Sequence, residues 1–108
     1  MENQYRKVNG YRELTETEIS LMNLIKKKGE ELLVLQKELV AKLALDAEIK
    51  CSRASSPSEV PPRGELEPEC VEWVRFQTAE PLRWAAIGKT DIQTGIMALM
   101  RAVAQPAI

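Results

Sequence analysis

The chain has 108 residues and a net charge of −1, enough for one domain and without the basic field that would draw it to DNA or to an acidic membrane. It contains no histidine, which excludes Ser-His-Asp and Cys-His catalysis, His-ligated zinc and histidine phosphotransfer. Hydrophobic residues at 44% and charged residues at 29% are ordinary for a helical globular chain, while aromatics at 5% speak against a large aromatic core.

Residues 1–13 are polar and read as an N-terminal arm or a short helix. Tyr5 and Tyr11 stand there beside Arg6, Lys7 and Arg12, and Gly10 permits a sharp approach to the first long helix. No signal-peptide core is visible in this stretch and no apolar run reaches the ~18 residues of a membrane span, so a cytosolic chain is expected.

The organising element is a long helix expected over 14–50. Thr15 and Glu18 have the spacing of a capping box, and Leu14 with Ile19 that of a hydrophobic staple. Apolar residues recur at Met22, Ile25, Leu32, Leu39 and Leu43, widened by Leu21, Leu24, Leu35 and Val40. Residues 51–80 form a connection rich in proline and serine; Pro57, Pro61, Pro62 and Pro68 forbid a continuous helix. Within it, a short helix is expected near 69–77, burying Val71, Trp73 or Phe76. Cys51 and Cys70 are expected to be free thiols, and without histidine they make no structural zinc site.

A second long helix is expected over 81–104, opening on Pro81 and continuing into a tail at 105–108. Its seam reads Ala85, Ile92, Ile96, Leu99 and Val103. Gly88, Gly95 and Ala102 recur every seventh residue beside that seam. Each helical glycine costs about 1 kcal/mol, so the pattern implies close approach of a helix or a ligand. Gly29 thins the first helix in the same way. The fold class is therefore all-α, an antiparallel helical hairpin of two long helices with a Pro-rich connection. Stripes this wide exceed what two helices can cover, so a homo-oligomer is expected.

Candidate binding residues have bland readings beside them. Lys26, Lys27 and Lys28 make a solvated face, yet at ~100° per residue they cannot all point one way, and Lys26 lies at the stripe edge. Tyr11, ahead of a helix N-terminus, either covers the end of the core or stacks a nucleobase with Arg12 as an added cation. Lys26 is roughly 16 Å along the axis from Thr15, so one ligand meets both Tyr11 and Lys26 only if the arm folds back or the pocket is shared between subunits. Lys89 and Thr90, with Asp91 and Gln93, are an exposed polar face or a phosphate contact bracketed by Gly88 and Gly95. Arg101 reads as a helix-end cation. No carboxylate pair stands in an apolar setting and no Gly-rich phosphate loop succeeds a strand, so no catalysis, cofactor or metal is expected.

Two blocks carry a family likeness. YRELTETEISLMNLIKKKGEELLVL matches at Tyr11, Arg12, Leu14, Thr15, Glu18, Ile19, Asn23, Ile25 and Lys26. RWAAIGKTDIQTGIMALMRAVAQP matches at Lys89, Thr90, Gln93, Gly95, Met97, Ala98, Leu99, Arg101, Ala102 and Val103. Together they cover a little over half the chain and resemble the phage anti-CBASS sponge proteins of the second described type, whose helical hairpin domain is shared with an anti-Thoeris sponge. The second block often carries arginine where Lys89 stands, and lysine offers no bidentate fork to a phosphate.

The resemblance implies a non-enzymatic protein of the infected bacterial cytoplasm that binds cyclic oligonucleotide messengers and holds them uncleaved. It implies a compact hexamer of interlocked trimers, with cyclic dinucleotides such as cyclic GMP–AMP held between protomers and, in some members, a cyclic trinucleotide at a separate threefold site. Tyr11 would stack a base and Lys26 pair with phosphate; Arg12, Lys89 and Thr90 are the further candidate contacts. The competing readings are a helical phage structural or adaptor protein that binds another protein, and a phosphodiesterase, which the lack of histidine disfavours.

Overall fold

The computed structural model describes residues 12–55 and 67–106. Three helices occur in order: α1 over Glu16–Ser55, α2 over Pro68–Ala79 and α3 over Pro81–Ala104. The chain divides into two compact units. The first joins the start of α1, through Leu35, to α3 from Lys89 onward; the second spans Gln36–Gly88.

In the first unit the capping box is formed. The Glu18 N–H donates to Thr15 Oγ1 at 3.2 Å, and the Thr15 N–H donates to Glu18 Oε1 at 3.0 Å. Two otherwise orphaned donors are thereby satisfied where α1 starts. Glu16 and Glu18 also place negative charge where the helix macrodipole favours it. The partner segment runs antiparallel, because Arg12 meets Val103 while Gly29 meets Ile96 further along. Leu14, at 5% exposure, and Ala104, at 3%, are buried in this unit.

The face of α1 turned toward α3 differs in phase from the expected stripe. Half-buried or buried positions run Met22, Ile25, Gly29, Leu33, Gln36, Val40 and Leu43, whereas Leu32 and Leu39 are 48% and 46% exposed. Glycine explains the shift. A hydrophobicity count passes over Gly29, but the missing Cβ is what lets Ile96 sit against that backbone. A Cβ on Gly29 would stand 2.6 Å from Ile96 Cγ1 and nearer still to Cδ1. On α3 the expected seam positions Ile92, Ile96 and Val103 are half-buried. Leu99 is 55% exposed and Met100 takes the inner position.

The second unit packs α2 beside the later part of α1. α2 opens with Pro68 after an extended Glu67, and the Val71 N–H donates to the Glu67 carbonyl at 3.0 Å. Of the three candidates for burial on α2, Phe76 is buried, Trp73 is half-buried and Val71 is exposed. The Trp73 and Phe76 rings stack at 6.0 Å, and the Lys50 ammonium lies 5.8 Å from the Phe76 centroid. Cys70 directs its thiol toward the Ala54 carbonyl at 3.7 Å; it and Cys51 are both free. Gln36 Nε2 donates to the Ala85 carbonyl at 2.9 Å, a polar contact on an otherwise apolar seam. α2 turns into α3 at Glu80, which adopts φ 49° and ψ 51° and donates its N–H to the Gln77 carbonyl at 3.2 Å.

Candidate functional site

Four of the five expected contact residues fall within the described residues, all in the first unit; Tyr11 lies outside them. Arg12 precedes α1, and its guanidinium forks onto Glu18. Nη1 donates to Oε1 at 3.1 Å and Nη2 donates to Oε2, while Nη2 also donates to the Val103 carbonyl at 3.1 Å. The last carbonyls of a helix have no intrahelical partner, so the Val103 contact satisfies one of them with a cation at the negative end of the dipole. The Arg12 hydrogen bond, and after it the backbone N–H of Thr15, holds the Glu18 carboxyl down at about 2. The same pairing raises Arg12 above its ordinary value.

Lys26 is exposed on α1. Met22 and Gly29, one turn away on either side, both belong to the face that meets α3, so Lys26 stands on the flank of the seam as its stripe-edge position suggested. Neighbouring Lys28 makes an exposed ion pair with Glu31 at 3.6 Å. Lys89 and Thr90 are exposed on α3. Lys26 lies three residues before Gly29 and Lys89 seven before Ile96, on helices running in opposite directions. Those offsets add to about 15 Å along the axis at ~1.5 Å per residue. A single phosphate therefore does not bridge Lys26 and Lys89 within one chain.

Among the described residues nothing lies within 4 Å of a Cβ built on Gly88 or on Gly95. The close approach expected at these glycines is thus not made among the described residues, in contrast to Gly29. In the second unit a cavity of about 180 Å³ is lined by Lys50, Arg53, Pro68, Glu69 and Glu72. It includes none of the expected contacts. Its two cations face two carboxylates, with Lys50 paired to Glu72 at 3.1 Å, so it offers an anion no net attraction. Arg75, then Lys50, hold the Glu72 carboxyl down at about 2. Among the described residues no group of three or more Cys, Asp or Glu could hold a metal ion, and no helix is long and apolar enough to cross a membrane.

The Arg12–Glu18 pairing is the feature of this site that sequence reasoning missed. Arg12 lies ahead of the helix, so the pair has a separation of six rather than the three or four that marks a helical ion pair. The visible signal was Glu18 alone, already assigned to the cap.

Among the described residues the hairpin is clipped by Arg12 and carries exposed lysines at Lys26 and Lys89. The family model described as Acb2/Tad1, hairpin domain, matches residues 4–104, and the chain belongs to that family. It is similar to Anti-CBASS protein 2 of Pseudomonas phage JBD67, with 58% identity over 106 residues that cover 98% of this chain and 97% of that protein. The family expected from the two sequence blocks is thus the family found.

Proposed function

We propose that the protein is a phage anti-CBASS factor that binds cyclic dinucleotide messengers in the host cytoplasm and sequesters them without cleavage. The observation that carries this reading is the 58% identity, over nearly the whole of both chains, to a protein named for anti-CBASS action. Supporting it are an exposed lysine on the seam flank at Lys26 and, in the sequence, a tyrosine one residue before Arg12 at Tyr11. Sequestration acts by stoichiometry, so binding must be well below micromolar, about −8 kcal/mol or stronger. Charge-assisted phosphate contacts of roughly 1.5–3 kcal/mol each and stacking of ~1–3 kcal/mol per base are of that size.

The binding form is a homo-oligomer, a hexamer in the family-based reading. In the first unit Leu21, Leu24, Leu32, Val34, Leu35, Met97 and Leu99 are between 46% and 71% exposed. So much apolar surface left in water calls for cover, and second copies of the chain are the natural source. Pockets between protomers would then unite Tyr11 of one copy with Lys26 of another. Lys89 and Thr90, about 15 Å along the axis from Lys26, suit a separate phosphate position such as a trinucleotide site.

Isothermal titration with cyclic GMP–AMP, with chromatography of the released ligand, tests the reading. Tight binding, intact ligand and loss of heat in Tyr11→Ala and Lys26→Ala are expected. Binding that survives both substitutions would move the site. Cleaved ligand would make the protein an enzyme. No binding to any cyclic nucleotide would favour the adaptor reading, in which the exposed leucines meet another protein.

A further inference from the structure

We infer that Met97 forms an apolar shelf for the base of a nucleotide whose phosphate is held by Lys26. The inference rests on the cyclic-nucleotide reading above and deepens it, adding a base-facing side chain to a site otherwise argued from charge. Met97 is 71% exposed, more than any other large hydrophobic residue described on α1, α2 or α3. A single exposed apolar side chain needs no explanation by itself. Its place beside Lys26 is what gives Met97 a role.

Gly29 of α1 and Ile96 of α3 face each other across the seam of the first unit. Viewed down α1 from its N-terminus, Lys26 stands about 60° clockwise of Gly29; viewed down α3 in the same way, Met97 stands about 100° clockwise of Ile96. The two helices run antiparallel, so equal senses of rotation carry both side chains to the same side of the seam. Leu99, about 60° from Ile96 in the opposite sense, falls on the other side. Along the axis, Lys26 lies three residues from Gly29 and Met97 one residue from Ile96, both toward the end where Arg12 meets Val103. Their levels therefore differ by only about 3 Å at ~1.5 Å per residue, against about 15 Å for Lys26 and Lys89.

An ammonium and a thioether set side by side match the two ends of a nucleotide. The phosphate takes the charge-assisted contact, and the flat base takes the polarizable, adaptable sulfur side chain. A thioether is only a weak acceptor and cannot read the edge of a base. The shelf therefore favours purines over pyrimidines by contact area and does not separate guanine from adenine.

The test titrates cyclic GMP–AMP and cyclic di-UMP into the full-length protein and its Met97→Ser, Met97→Leu and Lys26→Ala variants at several KCl concentrations, with sedimentation velocity of each unliganded protein. At 71% exposure neither change at Met97 threatens the fold. Met97→Ser is expected to weaken cyclic GMP–AMP binding about five- to tenfold, the size of a lost sulfur–aromatic contact, and to narrow the preference for purines. Its salt dependence should stay that of the unaltered protein, whereas Lys26→Ala should weaken binding and flatten that dependence. Met97→Leu, which keeps the apolar area, should bind within about twofold of the unaltered protein. Normal binding by Met97→Ser overturns the inference and leaves the sequestration reading standing. A Met97→Ser protein that sediments as a smaller species makes Met97 a contact between copies, which overturns the inference too. Absence of binding by the unaltered protein is a different result, since it removes the sequestration reading and the shelf with it.

Discussion

Glu80 joins α2 to α3 in a left-handed conformation, with φ 49° and ψ 51°. An L side chain there costs about 1–2 kcal/mol, while glycine takes the same angles freely at some entropic cost in the unfolded chain. Glu80 gains little in exchange, its Arg83 ion pair being exposed and 3.4 Å long. Glu80→Gly should therefore stabilise the protein by about 0.5–1 kcal/mol in thermal unfolding, and a lower midpoint would contradict the strain argument. Gln105 has φ 47° just past the end of α3 and donates its N–H to the Arg101 carbonyl at 2.8 Å, a helix stop made without glycine. Neither position was legible in the sequence, because the residue that normally marks a left-handed turn is absent from both. Thr15 and Glu18 were legible, since a capping box is a local pattern of residue types. Arg12 was not, because its partner on α3 lies 91 residues away.

At the scale of the element, α1 shows what periodicity reveals and where it slips. Its existence and its start could be read from the cap and the apolar repeat; the helix then continues through Ser55. The direction of its inner face could not be read. Leucines lie on both sides of the seam, and Gly29, the residue that marks its centre, adds nothing to a hydrophobic count. The start of α1 also has a charge state of its own. Glu18 is held at about 2 against an ordinary 4.5, so the folded chain binds its proton more weakly than the unfolded chain. Its contribution is fully present above about pH 4.5 and is lost as the pH falls toward 2. Glu72 in the second unit, also at about 2, adds the same trend. Thermal midpoints measured from about pH 6 to pH 2 should fall across that window, and Glu18→Gln should flatten the fall. An equally steep fall in the variant would remove Glu18 from the account. Solvent exposure keeps the effect small.

For the whole molecule, the apolar residues outnumber the places the chain has to put them. Among the described hydrophobic residues, only Leu14, Phe76, Ala85 and Ala104 are buried, while Trp84 is 59% exposed and Met97 71%. A folded state completed by other copies is stabilised by mass action, so its unfolding midpoint should rise with protein concentration. Sedimentation velocity should show a species larger than a monomer at the same concentrations. A monomer whose midpoint ignores concentration would leave the exposed leucines to a different partner. The all-α hairpin and the family were legible because two ordered blocks of sequence carry them. Of the candidate contacts the sequence offered, Tyr11 lies outside the described residues and Lys26 and Lys89 stand about 15 Å apart along the axis, a separation that residue types alone do not show.

Gly29 beneath Ile96 also orders the chain's mutational history. A β-branched residue in a helix is held to one preferred side-chain rotamer, so Ile96 cannot easily turn aside for a methyl group at position 29. Trimming Ile96 first leaves a void that a later methyl at 29 can refill; the reverse order passes through overpacking. Descendants that change both positions therefore travel one road, on which the isoleucine yields before the glycine.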